Sequence, residues 1–497
     1  MVTQPTTCPE IIKLPLKLHK DEGRVIPRMF AIYGEKRFHF LVQRVCELTD
    51  DMVAASLESV FASFINRHKD LRTVFKDHFE QVAMLADWHG DLDDNRQLLV
   101  GSYFTMEYSI EAAALFNPSI VMHPVQDQHN NGNCRFVMSL RATGEGHVSS
   151  VVFRTGAIRG GKEVLLDPPA RFSVSAKRSP DQFYLKPLFL QKLKEMVLDD
   201  ACATALLEPL PEQFTYADLV SAVEGADTVC RDSADTQEVV DCIYWLARSN
   251  YQVQMPDDAD ISDIVLFPQS ESESRGIEDL RLVHFTDVDG AQTYYGTYTA
   301  FNGIHILPML METKDFKRIH IHTLNGACAR DKGMALFPKR INGHYAMCSR
   351  IDGRNLYIMY SDYIHFWESA TLFATPEYPW ELTLIGNCGS PVETDEGWLL
   401  LTHGVGPMRQ YCIGAMLLDL EDPTRIIGRL REPLLMPSEE EREGYVPNVV
   451  YTCGAMEHEG MLYIPYATAD WCTNMATVEV DALVHCLRNG NGRLSNG

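Results

Sequence analysis

Four short polar clusters, each set against an apolar run, carry the residue types that could do chemistry. Gly276-Ile277-Glu278-Asp279-Leu280-Arg281 puts two carboxylates and a guanidinium at the mouth of the run Leu282-Val283-His284-Phe285. A carboxylate at a strand entrance beside an Arg is often only a surface ion pair. Asp331-Lys332-Gly333 opens a hairpin that closes at Arg350. Two cations at equivalent ends of a hairpin can converge on one anion, or both can simply be solvated. Gly386-Asn387-Cys388-Gly389-Ser390-Pro391 and Glu393 lead into an apolar strand ending at His403, which either serves a site or satisfies a backbone carbonyl. Asp470 follows the aromatic strand at Tyr466, a pairing familiar from hydroxyl-binding sites. Weaker signals are set aside. His320 and His322 share one face of a strand, but no third ligand stands at a useful spacing, so no metal is expected. Gly144-Glu145-Gly146 and Gly160-Gly161-Lys162 complete no phosphate loop, and there is no Gly-x-Ser-x-Gly.

The elements that must position these residues fall into two kinds. From about Ser119 onward the chain reads as short strands, each a few apolar or aromatic residues ending on a polar one. The ends at Tyr298, Arg350 and His403 recur at roughly 50-residue spacing, the range of propeller blades. Asn302-Gly303 and Asn342-Gly343 supply hairpin turns. In a propeller the polar ends gather at one mouth of a central channel; in a β-sandwich, the alternative, they would be unrelated. Helical patterning occupies the rest. Thr49 or Asp50 caps an apolar stripe at Val53, Leu57, Val60, Phe61 and Phe64, and a second stripe runs Leu71, Val74, Phe75, Phe79, Val82. Thr105 is expected to cap a third helix through Glu111–Leu115, ended by Asn117-Pro118. Leu188–Val197, Tyr216–Val223 and Val239–Leu246 form a helical insertion over about 179–257. The expected organisation is an N-terminal helical region (1–115), a strand domain (116–487) carrying that insertion, and a disordered tail (488–497).

Composition bounds the partners. The chain has 497 residues, with 44 Lys and Arg against 68 Asp and Glu, a net charge of −24. Such an excess disfavours nucleic acid or an anionic membrane as partner. No apolar run is long enough to cross a membrane, and residues 1–8 show no secretory pattern. The 13 cysteines include no Cys-x-x-Cys, so reduced thiols in a cytoplasm are expected.

Taken together the clusters resemble glycoside hydrolase family 130. The resemblance runs through Phe116–Ser119, Arg141, Glu278–Arg281 with Tyr298, Leu336–Pro338 to Arg350, Ser361-Asp362, Gly397-Trp398 with His403–Val405, Leu417–Leu420, Gly444–Val450 and Tyr466–Asp470. It spans about residues 116 to 485 and keeps the motif order. It implies an all-β five-bladed β-propeller, here with the added N-terminal helical region and helical insertion. It implies inverting phosphorolysis of β-mannosides, giving α-mannose 1-phosphate, with a smaller group of inverting β-mannosidases as the alternative; a non-catalytic mannoside-binding propeller is a third reading. Asp279 matches the general acid, held by Arg281 and acting on the glycosidic oxygen by way of the sugar's 3-hydroxyl. Lys332, Arg350, His403 and Arg409 match phosphate-binding positions. Asn117, Arg141, Tyr298, Asp362 and Asp470 match the sugar site. Inorganic phosphate is then a co-substrate, and no other cofactor is implied. Two departures matter. Many phosphorylases have Arg-Asn at Lys332-Gly333, and many have Lys at Glu393. A hydrolase needs a second carboxylate, roughly 6.5–9.5 Å from the acid, as base for water. Glu393, Glu441 and Glu443 are the candidates. The N-terminal helices are expected to form a subunit interface or to cover the acceptor side of the pocket.

Overall fold

The computed structural model describes residues 9–30, 34–126, 133–168, 171–179, 182–196, 200–225 and 234–489. Its framework is five antiparallel sheets, the first two joined into one by a parallel pairing of Gly276 with Ser149. The first holds Ala114–Met122, Cys134–Thr143, Ser149–Arg159 and Ile264–Leu266. The second holds Gly276–Thr286, Gln292–Phe301, Ile306–Thr313 and Arg318–Thr323, with Tyr251–Gln254 added at its outer edge. The third runs Ala335–Leu336, Tyr345–Ser349, Leu356–Ser361, Ala370–Ala374. The fourth runs Leu384–Asn387, Gly397–Val405, Tyr411–Leu418, Ile426–Arg429. The fifth runs Val450–Tyr451, Met461–Thr468, Cys472–Glu479, and is completed by Ile12–Leu18 from the N-terminus.

Each sheet touches the next, and the fifth returns to the first. The cores follow the same ring. Val137 and Phe153 pack with Leu280 and Tyr298 between the first and second sheets. Phe285 and Leu310 pack with Met347 and Met359 between the second and third. Ile358 packs with Trp398 and Leu400 between the third and fourth. Leu401 and Ile413 pack with Leu462 and Ile464 between the fourth and fifth. Tyr463 and Met475 close onto Leu115 and Ile120 of the first. A sheet covered on both faces has no solvent side, so its strands lose polar alternation and read as continuous apolar runs; Gly397–Val405 is buried at every position.

Eight of the helices lie in two separate clusters. Helices α1 (Gly34–Cys46), α2 (Asp50–Phe64), α3 (Leu71–Leu85) and α4 (Asp94–Tyr103) share one core built on Phe38, Phe75 and Phe79. The Thr49 side chain caps α2 by accepting from the Met52 amide. Helices α5 (Lys186–Lys194), α6 (Asp200–Leu207), α7 (Tyr216–Gly225) and α8 (Ala234–Ser249) form the insertion, with their own core around Phe189, Phe214 and Leu246. The insertion is tied to the second sheet by Lys192, whose ammonium donates to Asn250 Oδ1, Thr323 O and Thr323 Oγ1.

Several expectations are corrected here. The first hundred residues are not all helical: Ile12–Leu18 and Val25–Met29 are strands. The helix expected after Thr105 is absent. Thr105–Ser109 pairs with Val25–Met29, and the Ala-rich run enters Ala114–Met122, where both faces are buried and a ladder to Cys134–Thr143 outweighs alanine's helix preference. A boundary at 115/116 does not separate two units, because the strand at Ile12–Leu18 belongs to the fifth sheet. Arg488 and Asn489 end α9 (Val480–Asn489) rather than opening a disordered tail; residues 490–497 lie outside those described, as does Val197. Ten of the described cysteines are reduced thiols, and Cys486 on α9, which is disulfide-bonded, departs from the expectation of reduced thiols throughout. Among the described residues, no helix is long and apolar enough to cross a membrane.

Candidate functional site

The inner strands of the first two sheets carry the same device. Pairing of Ala114–Met122 with its neighbour slips between Phe116 and Ser119, and pairing of Gly276–Thr286 slips between Glu278 and Arg281. At these two bulges Asn117 and Asp279 take left-handed backbone angles, φ 48° and 57°. A bulge re-aims a side chain, and Asn and Asp tolerate the left-handed region better than other residues with a side chain. Pro118 is admitted because a bulge frees it from donating an N–H; its carbonyl instead accepts from the Cys453 amide at 2.7 Å. The two side chains meet, Asn117 Nδ2 donating to Asp279 Oδ1 at 2.7 Å.

Around them opens a cavity of about 170 Å³. Its wall takes Arg141 from the first sheet, Arg281 from the second, Lys332, Gly333 and Arg350 from the third, Gly386, His403, Arg409 and Tyr411 from the fourth, and Val449, Tyr451 and Asp470 from the fifth. The strand ends of all five sheets therefore converge on one space. Gly386 has a packing reason: a Cβ there would stand 2.3 Å from Cε1 of His403, so only glycine lets that ring lie against the inner strand. Asp470 sits with Ala469 in a hairpin turn in which both residues are left-handed.

The electrostatics divide the site in two. Arg141 Nη2 bonds Glu278 Oε1 at 2.8 Å and its Nη1 reaches Asp279 Oδ1 at 3.3 Å. Lys332 Nζ bonds the other Glu278 oxygen at 2.7 Å. Arg281 donates to the Asp279 carbonyl and to Tyr451 Oη. Burial pushes the Asp279 carboxyl up, but Arg141, Arg281, Lys332 and the Asn117 bond together outweigh it and hold the group below its ordinary value, hence ionised. Asp470 behaves oppositely. Burial first, then the negative charge of Asp279, pushes it up to about 6 against the pull of Arg141 and Arg409. On the far side, Arg350 Nη1 lies 3.3 Å from His403 Nε2. Burial, Arg350 and Arg281 keep His403 well below its ordinary value, so it is a neutral imidazole accepting from Arg350. Among the described residues Arg350 and Arg409 form no ion pair.

Nine residues anticipated from sequence thus share one cavity: Asn117, Arg141, Asp279, Arg281, Lys332, Arg350, His403, Arg409 and Asp470. Lys332 arrives already engaged with Glu278. Five others do not line it. Tyr298 turns into the core, where its hydroxyl donates to the enclosed Glu273 at 2.6 Å. Asp362 is 71% exposed and paired with His344, at the opposite end of the third-sheet hairpin from Arg350, about 20 Å of strand away. Glu393 is 43% exposed and paired with Lys339 Nζ at 2.5 Å. It stands opposite Trp398, five residues or about 17 Å of strand from His403. Glu441 is spent on Lys13 and on Tyr466 Oη, and Glu443 is exposed outside the cavity wall. Sequence reading missed the bridging role of Glu278 and the wall residues Tyr411 and Tyr451; the last directly follows the Gly444–Val450 motif, which is the signal that could have found it. Among the described residues no group of three or more His, Cys, Asp or Glu is placed to hold a metal ion.

Comparison with known proteins bears on the same residues. The 1,2-beta-oligomannan phosphorylase of Thermoanaerobacter sp. (strain X514) is 34% identical over 228 residues, 44% of this chain and 72% of the relative. The chain belongs to glycoside hydrolase family 130. A family 130 model described as beta-1,4-mannooligosaccharide phosphorylase matches residues 252–489. A beta-1,2-mannobiose phosphorylase of the same Thermoanaerobacter strain is 36% identical over 220 residues, 43% of this chain and 70% of its own. The solved structure of beta-1,2-mannobiose phosphorylase from Listeria innocua with beta-1,2-mannobiose covers 76% of this chain and 92% of its own, at 20% identity and a TM-score of 0.45. The family 130 match begins after the first sheet's inner strands, so Asn117 and Arg141 come to the site through the fold.

The opposed carboxyls give a first prediction. Asp470 titrates near 6 when folded, above its ordinary 3.8, so the folded state holds this proton more tightly than the unfolded chain. Its ionisation therefore lowers stability as pH rises from about 4 to 6, and the loss is complete above that window. Asp470→Asn should raise stability at pH 8 by on the order of 2 kcal/mol and leave it unchanged below pH 4. Urea unfolding at the two pH values checks this; an equal effect at both would refute it.

Proposed function

We propose that this protein is an inverting phosphorylase of β-mannosides, releasing α-mannose 1-phosphate. The observation that carries the reading is the charge inside the cavity. Two carboxyls, Asp279 and Asp470, face a wall with guanidinium groups of Arg281, Arg350 and Arg409 that among the described residues form no ion pair, so the free cations suit a small anion beside a neutral sugar. The relatives' phosphorylase activities support the same reading. The five sheets are then the blades of a five-bladed β-propeller, supported by their closed ring of contacts and cores, with the cavity at one mouth of the channel.

In this scheme the mannosyl unit lies against Asn117, Arg141 and Asp470, and phosphate lies against Arg350, His403 and Arg409. A phosphate oxygen attacks the anomeric carbon from the face opposite the leaving group. The glycosidic carbon–oxygen bond breaks, and its electron pair takes a proton that originates on Asp279. One C–O bond forms and one breaks, with inversion. Arg350 offers a planar fork to the phosphate oxygens, whereas Lys332, tied to Glu278, holds the acid region together rather than the anion. Hydrolysis loses its proposed base, since Glu393 is exposed and paired with Lys339.

The test is to incubate the protein with β-1,2- and β-1,4-manno-oligosaccharides with and without phosphate, and to separate mannose 1-phosphate from free mannose. Phosphate-dependent cleavage is expected, unchanged in Glu393→Gln. Cleavage at one rate with and without phosphate would sink the proposal.

A further inference from the structure

Behind the cavity wall the side chain of Asn387 is fully enclosed, and neither its amide oxygen nor its amide nitrogen has a protein partner. Buried side-chain amides are nearly always hydrogen-bonded, because an amide taken out of water must have its bonds replaced. Asn387 ends the inner strand of the fourth sheet, one residue beyond the cavity-lining Gly386. It faces Gly333 of the third sheet. The Asn387 Oδ1 lies 3.7 Å from the point a Gly333 Cβ would occupy, and the Arg350 Cβ lies 3.7 Å from the same point. Gly333 and Arg350 both line the cavity. The missing side chain at Gly333 thus leaves a small space between the unused Asn387 amide and the base of the Arg350 side chain, whose guanidinium reaches His403. Arg350 Nε is also buried without a protein partner.

We propose that Asn387 is a phosphate-contacting residue, its Nδ2 donating to one oxygen of the phosphate seated on Arg350 and its Oδ1 accepting from the phosphate's own hydroxyl across the gap at Gly333. The inference rests on the phosphorylase reading and adds a specificity to it. Guanidinium groups only donate, so they hold phosphate and sulfate alike. A side-chain amide both donates and accepts. Hydrogen phosphate keeps one O–H at neutral pH and can satisfy both ends, whereas sulfate has no proton and leaves Oδ1 facing an oxygen anion. Asn387 thereby selects hydrogen phosphate over a fully deprotonated tetrahedral anion.

The experiment compares wild type, Asn387→Ser and Asn387→Asp in phosphate-dependent cleavage of a β-mannoside, with sulfate as competitor. Asn387→Ser should raise the KM for phosphate about tenfold, the effect of one hydrogen bond to a charged group, with kcat and the KM for mannoside within about twofold. Sulfate should inhibit this variant relatively better than wild type. Asn387→Asp should weaken phosphate further by repulsion. If the KM for phosphate does not move, or if kcat and both KM values move together, Asn387 is a packing residue and the inference is overturned. A wild type that cleaves mannoside equally without phosphate overturns the phosphorylase reading itself, and this inference with it.

Discussion

Asp279→Asn is expected to lower kcat on a β-mannoside by about 10²- to 10⁴-fold, the usual worth of a positioned general acid, with little change in fold. Asparagine suits this position as well as aspartate, since both accept the left-handed backbone found there. Its carbonyl oxygen can still accept from Asn117 Nδ2 and Arg141, so the sugar-side geometry survives and the loss reports chemistry. Asp279 is held ionised in the free protein by Arg141, Arg281 and Lys332, against burial. An acid must carry its proton when the bond breaks. Binding of phosphate resolves the conflict: a negative charge at about 5 Å, with an effective dielectric near 20, opposes a carboxylate by roughly 3 kcal/mol per unit charge. The arriving nucleophile therefore drives the acid toward its protonated form. Two readouts follow. The alkaline limb of kcat at saturating phosphate should lie at higher pH than that of kcat/KM for phosphate. In Asp279→Asn the limb due to this group should vanish. Wild-type-like kcat in that variant would remove Asp279 from the mechanism.

Which parts of this site were legible in sequence follows from what each residue depends on. Asp279, Arg350, His403 and Asp470 end or interrupt apolar strands, and strand ends in a ring of sheets converge whatever the intervening loops do. The ring itself was readable from strand spacing, because a sheet buried on both faces writes continuous apolar runs into the chain. Tyr298 satisfied the same pattern and still points away, because strand side chains alternate between faces and one residue's shift moves a side chain from channel to core; the enclosed Glu273 takes its hydroxyl. Asp362 and Glu393 failed for a related reason: each lies at the wrong end of its hairpin, and sequence alone does not say which end faces the channel. The Ala-rich segment before Asn117 was misread as helix because its propensity is real but its burial between two sheets decides. The closing strand at Ile12–Leu18 could not be seen, since its partner stands more than four hundred residues away. Glu278 was visible as a residue but not as a bridge, because Arg141 and Lys332 reach it only once three sheets are in place.

Arg350→Ala should raise the KM for phosphate by about a hundredfold, the cost of a charge-assisted pair of hydrogen bonds, while the KM for mannoside changes little. Stability distinguishes this residue from its neighbour. Lys332→Ala would strand half of the Glu278 carboxylate beside the acid and should destabilise the fold. Arg350→Ala strands no carboxylate, so its unfolding midpoint should hold. Arg350→Lys should recover only part of the phosphate affinity, since an ammonium offers a point charge where the guanidinium offers a fork. His403 supplies the sharpest readout. Its imidazole is kept neutral by burial first and by Arg350 second, with Arg281 adding to both. Removing Arg350 deletes the second cause, so the ring takes up a proton at higher pH than in wild type. A protonated His403 then stands where the lost cation stood. Phosphate affinity of Arg350→Ala should accordingly recover as pH is lowered, over a range in which Arg350→Ala combined with His403→Gln shows no recovery. Phosphate titrations of both variants across pH test this directly, and equal pH profiles in the two would mean that His403 does not face the anion.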